Sequence, residues 1–220
     1  MGRFWKQLLG LDAGATLTPP EYFSLMPPLE TPRLLLRQVK RRDAADYHAY
    51  ASDPEVARYV LWQAHRSLRE TRQVISAIRQ RYRYGLPGCY AIILRETGRM
   101  IGTIGFEAWH PEQRCMEVGY SLARACWGQG YASEALQALL RQCFDVMQVH
   151  RVEAVYDVEN PASGSVLAHC GFHPEGVMRR RVLNKGEWRD VCLCAVLAED
   201  APSAPADGLH PAAERVLPGH

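Results

Sequence analysis

The sequence predicts a mixed α+β domain: a mostly antiparallel, twisted sheet of seven strands with about four helices on its two faces. The predicted elements follow the order βααβββαβαββ, so strands and helices mix without strict alternation. Two turn signals, Thr97-Gly98 and Asn184-Lys185-Gly186, join consecutive strands into hairpins, which favours antiparallel pairing. A third signal, Gly128-Gln129-Gly130, connects a strand to a helix. The length of 220 residues suits one domain with tails.

The first half of the domain is predicted to hold two helices between its first two strands. Residues 33–39 form the first strand, and Asp43 caps a helix that ends near Ser52. Residues 67–70, Ser-Leu-Arg-Glu, form a capping box that begins the second helix. The hairpin that follows pairs residues 90–94 with residues 100–106. The apolar face of the second helix is made by Leu68, Thr71, Ile75, Ile78 and Tyr82.

The second half begins with the strand that leads into the glycine pair. Residues 116–122 form this fourth strand, and the helix after Gly130 has one apolar face with a 3.6-residue period. Residues 151–158 form a fifth strand, after which Asn160 and Pro161 begin a short helix that ends at Gly171. Two further strands complete the sheet. The apolar face after Gly130 is made by Ala132, Ala135, Leu136, Leu139, Leu140, Cys143 and Phe144.

The two ends of the chain differ from the domain in composition. Residues 1–29 are predicted to be an N-terminal extension and proline-rich linker, because five prolines fall between residues 13 and 32. Residues 30–198 form the domain, and residues 199–220, with four prolines, form a mobile tail. The apolar residues of the first eleven predict a short amphipathic helix that packs on the domain or on a partner subunit. We expect no signal peptide, membrane span or membrane partner.

Charge and cysteine content limit the class of protein. A net charge of +2 is too small to imply a nucleic-acid partner. The seven cysteines contain no C-x-x-C pair, and no histidine cluster has metal-ligand spacing, so we expect reduced thiols, a cytoplasmic protein and no metal. Six arginines between residues 66 and 83 form either a solvated helix face or a rim that attracts an acidic ligand.

The glycine pair predicts an anion site. Gly128 and Gly130 permit a tight turn and close approach of a ligand to the backbone, and the following helix presents free N–H groups and the positive end of its dipole. The loop lacks the Lys and Ser or Thr of the Walker pattern, because Tyr131 and Ala132 follow Gly130. It also lacks the third glycine of the dinucleotide fingerprint. A plain turn and a phosphate or pyrophosphate site remain as alternatives at this point.

The residues around the loop resemble those of a known family. The run Trp127-Gly-Gln-Gly-Tyr-Ala-Ser-Glu-Ala135 is similar to the W-G-x-G-Y-A-x-E-A pattern of the RimJ/RimL-like branch of the GNAT superfamily of N-acetyltransferases. The resemblance extends over roughly residues 30–198 and includes residues 33–37, 117–120, 160–163 and 171–172. The wider family favours Gln or Arg where this chain has Ala125. The branch acetylates protein N-termini.

The resemblance implies a GNAT-like sheet that splays between its fourth and fifth strands and binds acetyl-CoA. The pantetheine would lie along the backbone of the fourth strand, and the loop would hold the pyrophosphate. No metal is implied. The implied cofactor-binding residues are Tyr120, Ser121, Leu122, Trp127, Gly128, Gln129, Gly130, Tyr131, Ala132, Asn160 and Ser163.

The resemblance also implies catalytic residues. Glu117 is the carboxylate nearest the expected amine, and Glu107 is the alternative base. Leu167 occupies the position where many GNAT enzymes carry an acidic tyrosine, and Ser163 matches the hydroxyl that the branch offers instead. Trp62 and Trp109, together with Glu107, are candidates for the acceptor pocket, although either tryptophan equally suits packing.

These features predict an acetyl-CoA-dependent N-acetyltransferase. The acceptor is a primary amine at a protein or peptide N-terminus, which attacks directly in a ternary complex. Two alternatives stay open: a small-molecule amine acceptor such as an antibiotic or polyamine, and a non-catalytic acyl-CoA-binding regulatory module. A homodimer is left open as well.

Overall fold

The computed structural model describes residues 16–200. Its α-helices are α1 (Pro19–Leu25), α2 (Ala44–Ala51), α3 (Pro54–Ala57), α4 (Leu68–Arg83), α5 (Tyr131–Arg141) and α6 (Pro161–His169). Its strands are β1 (Leu29–Glu30), β2 (Leu34–Gln38), β3 (Cys89–Leu94), β4 (Met100–His110), β5 (Cys115–Leu122), β6 (Arg151–Asp157), β7 (His173–Asn184) and β8 (Glu187–Leu197). The N-terminal amphipathic helix and nearly all of the C-terminal tail that the sequence predicts lie outside the described residues.

The strands form one sheet in the order β1-β2-β3-β4-β5-β6-β8-β7. The neighbours are antiparallel except for β5 and β6, which run parallel. Their pairing covers only Cys115↔Arg151, Met116↔Val152 and Glu117↔Glu153, after which the two strands separate. The predicted mixed, mostly antiparallel fold is therefore confirmed. The eighth strand, β1, has two residues at the sheet edge, too few for a pattern of period two to predict it.

Helices cover both faces of the sheet. One buried apolar cluster packs the sheet against α1, α5 and α6, and includes Tyr22, Leu136 and Leu167. The second cluster packs the other face against α2, α3 and α4, and includes Tyr47 and Ile75. No helix within residues 16–200 is both long enough and apolar enough to cross a bilayer.

The proline-rich segment before the domain is not an extended linker in the part that the structure describes, so that prediction is wrong there. Thr18 begins α1, its backbone N–H donates to the carboxylate of Glu21 at 2.9 Å, and a proline occupies the first helical position. Tyr22 and Phe23 are fully buried, and the Tyr22 hydroxyl lies 2.8 Å from that of Tyr90 on β3. Two aromatic side chains supply enough apolar area to hold this short helix on the sheet.

Two predicted helix ends differ in detail from the structure. Asp43 directly precedes α2, as predicted, but its side chain makes no cap hydrogen bond. Its carboxylate instead accepts two hydrogen bonds from the Arg37 guanidinium, at 2.7 and 2.8 Å, and one from the Lys40 N–H. An ion pair with a residue six positions away has taken the place of the expected cap. The apolar period after Gly130 continues to Phe144, whereas the α-helical geometry ends at Arg141 and residues 142–146 form a π-helical turn.

Candidate active site

The glycine pair forms the start of α5 as the sequence predicts. Gly128 and Gly130 have φ values of 71° and 76°, in the left-handed region that favours glycine. Within the described part of the chain, no backbone or side-chain acceptor receives the N–H groups of residues 128–132. A Cβ atom at Gly128 would meet nothing within 4 Å. These free donors sit at the positive end of the α5 dipole, which suits an anionic group.

A polar network from the start of β2 holds this loop in place. The Glu134 carboxylate on α5 accepts hydrogen bonds from the Thr31 hydroxyl at 2.6 Å, the Arg33 N–H at 2.9 Å and the Arg33 Nε at 2.6 Å. Arg33 also donates to the Gln129 carbonyl at 2.9 Å, and its guanidinium stacks 4.5 Å from the centre of the Tyr131 ring. Burial acts to raise the pKa of Glu134, but the hydrogen bonds from Thr31 and Arg33 together outweigh it and lower that pKa below its ordinary value. The network keeps Glu134 ionised and leaves the Arg33 guanidinium beside the glycine loop.

One cavity of about 1140 Å³ joins the glycine loop to the gap between β5 and β6. Its walls come from the start of α5, the end of β5, the start of α6 and the segment around α3. From Val118 to Leu122, β5 has no strand partner on its β6 side. Unpaired backbone groups there can bind an extended ligand in the manner of an added strand.

Two hydroxyl groups meet in this cavity. The Tyr120 hydroxyl on β5 lies 3.0 Å from the Ser163 hydroxyl and donates to the Ser163 carbonyl at 3.0 Å. The Asn160 side chain caps α6 by accepting from the Ser163 N–H at 3.3 Å. Burial raises the pKa of Tyr120 to about 12, so its phenol is protonated at neutral pH. Ser163 is thus held at the start of a capped helix with its hydroxyl beside a neutral phenol.

The two candidate bases lie where the strands separate. Glu117 is the last residue of β5 that pairs with β6, and Glu107 is the extra residue of a bulge in β4, between Phe106 and Ala108. The Glu107 carboxylate lies over Gly119, so closely that a Cβ there would be 2.8 Å from Oε1. Glu107 is exposed at the surface, yet local desolvation of its carboxylate first, and the negative charge of Glu117 second, raise its pKa above the ordinary value of 4.5, while Arg81 opposes them.

The structure brings together most of the residues predicted to bind the cofactor, but not those predicted for the acceptor. Tyr120, Ser121 and Leu122, most of the glycine loop, Asn160 and Ser163 line one cavity. Gln129 contributes its backbone to the loop, while its side chain donates to the Ala125 carbonyl at 2.7 Å. Trp62 packs on the second cluster, 5.6 Å from the His65 ring, and Trp109 packs on the first. Neither tryptophan, nor Glu107 or Glu117, is part of the cavity wall.

Sequence reasoning missed three kinds of residue at this site. Arg33 and Glu134 stand in the motifs, but nothing local indicates that they pair across 101 positions. The sequence places Tyr120 on the fourth strand but does not indicate that its hydroxyl reaches Ser163, 43 positions away. Glu55, Val56 and residues 58–60, which line the cavity, carry no sequence signal either. Within residues 16–200, no three His, Cys, Asp or Glu side chains converge on a site that could hold a metal ion.

The site thus combines a free helix start that suits an anion, a splayed sheet that suits an extended ligand, and hydroxyl and carboxyl groups near the splay, which is an arrangement that suits a group-transfer enzyme. Comparison with known proteins identifies the family. Residues 33–173 match the model described as an acetyltransferase (GNAT) domain, and the chain belongs to that family. It is accordingly an N-acetyltransferase, the name its homologues carry.

Similar proteins include both uncharacterised and assigned enzymes. The uncharacterised N-acetyltransferase p20 of Bacillus licheniformis is 35% identical over 175 residues, which cover 80% of this chain and 98% of p20. The ribosomal protein uS5-alanine N-acetyltransferase of Escherichia coli is 29% identical, with 78% and 91% covered. Among solved structures, Mycobacterium smegmatis RimJ in complex with CoA-disulfide has a TM-score of 0.71 and 31% identity, and the match covers 81% of this chain and 89% of RimJ.

Proposed function

We propose that the protein transfers the acetyl group of acetyl-CoA to the N-terminal amine of a protein or peptide, by direct attack in a ternary complex. One observation carries the proposal: a single cavity connects the free amides at the start of α5, the open edge of β5 and the Tyr120–Ser163 pair. Each of these groups suits a different part of an acyl-CoA. The pyrophosphate, the pantetheine and the thioester would lie against them in that order.

The start of α5 suits the pyrophosphate. The N–H groups of residues 128–132 are available, Gly128 leaves open space above the loop, and Arg33 adds a positive charge. The unpaired backbone of β5 from Val118 onward suits the amide groups of the pantetheine. When bound, acetyl-CoA supplies an activated acetyl thioester. A backbone N–H of this same edge suits the acetyl oxygen, because a fixed donor stabilises developing negative charge.

The Ser163 hydroxyl is the proton donor that we assign to the leaving sulfur. Tyr120 orients this hydroxyl from β5, and Asn160 fixes the first turn of α6 that carries it. A modest donor is sufficient, because a thiolate leaves without full protonation. The Tyr120–Ser163 pair would take the place of the helix tyrosine that many GNAT enzymes carry where this chain has Leu167, which is buried in the core.

Both carboxylates stay candidates for the base, and the structural details favour Glu107. Its raised pKa brings it closer to that of an effective base at neutral pH than an ordinary glutamate. Its carboxylate reaches over Gly119, two residues past the last β5–β6 pair, where the sheet is open. Glu117 then acts on Glu107 through its charge. Deprotonation of the acceptor ammonium by Glu107, directly or through water, would generate the nucleophile.

The preference for a protein acceptor is supported by the relatives. The Escherichia coli relative named above acts on the alanine of ribosomal protein uS5, and a second from the same organism, 33% identical over 96 residues, is named a ribosomal-protein-serine acetyltransferase. The acceptor would approach along the wall made by α3 and residues 58–60. A small-molecule amine remains the alternative acceptor.

The test measures thiol release from acetyl-CoA with peptides that begin with alanine or serine, with polyamines and with aminoglycosides. Ser163→Ala should lower kcat roughly tenfold and leave the Kd for acetyl-CoA nearly unchanged. Ser165→Ala is the matched control, because that hydroxyl lies on the same helix and lines the same cavity, yet among the residues that the structure describes it bonds the Pro161 carbonyl, at 3.0 Å, and not Tyr120. A thermal melt checks that both variants fold.

The outcomes separate the alternatives. Turnover of peptides but not of small amines supports the proposal, and the reverse assigns the small-molecule function. Acetyl-CoA binding without turnover of any amine would identify a non-catalytic binding module. Full activity of a folded Ser163→Ala protein would show that water protonates the sulfur.

A further inference from the structure

The tip of the β7–β8 hairpin is tied to the segment that lines the cavity near α3. The Lys185 ammonium donates to the Ala57 carbonyl at 2.8 Å, the Val60 carbonyl at 2.7 Å and the Asn184 side-chain oxygen at 3.1 Å. An ammonium group has three protons, and each has an acceptor here. The contact joins residues more than 120 positions apart. It is therefore a tertiary tie between two elements that no strand ladder connects.

The turn that carries Lys185 is built at a cost. Lys185 and Gly186 have φ values of 52° and 90°, and they form a two-residue loop between Asn184 and Glu187, which pair. Asn or Gly is the residue that such turns favour at both central positions, because a Cβ is strained at positive φ. A lysine at the first central position gives up that advantage. The three hydrogen bonds of its ammonium offset the loss.

The segment that accepts the Lys185 hydrogen bonds, residues 57–64, makes few other hydrogen bonds within the part of the chain that the structure describes. Within the described residues, none of the backbone N–H groups of residues 59–64 donates to another backbone group. Arg58, Tyr59 and Val60 nevertheless line the same cavity as the glycine loop. The Lys185 hydrogen bonds and the packing of Trp62 on the second apolar cluster are what hold this loop.

We propose that Lys185 is a positioning residue for the acceptor: its ammonium fixes residues 57–60 and so sets the wall of the cavity that the acceptor amine passes. The inference rests on the proposed function in assigning this wall to the acceptor. Lys185 touches neither substrate and acts through the loop. Loss of the ammonium should loosen the loop and weaken acceptor binding, while the glycine loop and its affinity for acetyl-CoA stay unchanged.

Two substitutions separate the tie from the turn. Lys185→Met removes the ammonium and keeps an unbranched side chain at positive φ, whereas Lys185→Gly removes the ammonium and relieves the strain of the turn. Lys40→Met is the control, because Lys40 is exposed on the turn after β2 and its ammonium has no hydrogen bond to any residue that the structure describes. Hydrogen exchange is measured by mass spectrometry on all four proteins at the amides of Ala57, Arg58 and His65, which lie at the two ends of the loop and donate to backbone carbonyls. Steady-state kinetics use a peptide with an N-terminal alanine or serine.

Both Lys185 variants should speed exchange of the Ala57, Arg58 and His65 amides roughly tenfold and raise the acceptor KM three- to tenfold, with kcat and the acetyl-CoA Kd within about twofold. Lys40→Met should match the parent protein. Unchanged exchange in both variants would overturn the proposal. Faster exchange in Lys185→Met but not in Lys185→Gly would also overturn it, because strain in the turn would then be the cause. Exchange reports on the tie even if no peptide is acetylated, so failure of the proposed function would be recognised separately.

Discussion

Gly119 provides a sharp test of the active-site geometry, because its missing side chain makes room for Glu107. Its backbone lies outside the left-handed region, so alanine is not strained there. The three atoms nearest to an added Cβ all belong to Glu107, at 2.8, 3.2 and 3.4 Å. Ordinary contact begins at about 3.4 Å, so the carboxylate oxygen must move by about 0.6 Å in Gly119→Ala. A flexible side chain can make that movement without unfolding the strand.

The expected loss is in kcat and not in stability. A misplacement of about 1 Å in a catalytic group can cost on the order of 10²-fold, so a shift of about half that size should lower kcat on the order of tenfold, or about 1.4 kcal/mol of activation free energy. Replacing glycine by alanine reduces the entropy of the unfolded chain, so the melting temperature should not fall. Initial rates of thiol release and calorimetric titration with acetyl-CoA measure the two properties.

A double-mutant cycle shows whether the effect acts through Glu107. Glu107→Gln should lower kcat on the order of 10²-fold, and adding Gly119→Ala to it should cost little more, because the base is already absent. An equal loss in both backgrounds would refute the reasoning, since the methyl group would then act on the substrate or the backbone. Near-normal kcat in Gly119→Ala alone would show that the Glu107 position is unimportant.

Glu117 gives the complementary result. Its charge helps to raise the pKa of Glu107, so Glu117→Gln should lower that pKa and move the acidic limb of the pH–rate profile to lower pH. Most of kcat should remain. Loss of the acidic limb together with a fall in kcat on the order of 10²-fold would instead identify Glu117 as the base.

Two further results are expected. Gly130→Asp should weaken acetyl-CoA binding by at least about tenfold in calorimetry, because the carboxylate would repel the pyrophosphate and pair with Arg33, which lies 3.4 Å from an added Cβ. Gly130→Ala has the same backbone strain and is the control that separates the effect of the charge from that of the bulk. Equal affinities of the Asp variant and the parent protein would remove this loop from the site. His65 is buried with its Nδ1 2.9 Å from the Thr71 hydroxyl, and burial lowers its pKa below the ordinary 6.5. Its contribution to stability is therefore present above pH 6.5 and is lost as pH falls through the folded-state pKa. Urea midpoints at pH 7.5 and 5 should differ less for His65→Gln than for the parent protein, and an equal difference would contradict this assignment.

The local elements of this protein are determined by short stretches of sequence. The Gly128–Gly130 loop, the Ser67 cap with Glu70 and the Asn160–Pro161 helix start each depend on residues within four positions. Such interactions close small rings of backbone and need no distant partner. The fold class follows from the order of these elements, and the expectation of an anionic ligand follows from the glycine loop.

The arrangement of the site was decided only by the tertiary structure. Tyr120 meets Ser163 across 43 positions, Arg33 meets Glu134 across 101, and Lys185 meets Val60 across 125. A bulge of one residue in β4 aims Glu107 at Gly119, and no periodic pattern in the sequence marks it. Helix α1 likewise depends on a pocket beside β3 and β4 that exists only in the folded chain. These contacts depend on the twist, splay and register of a completed sheet, whereas sequence patterns report only the neighbours along the chain.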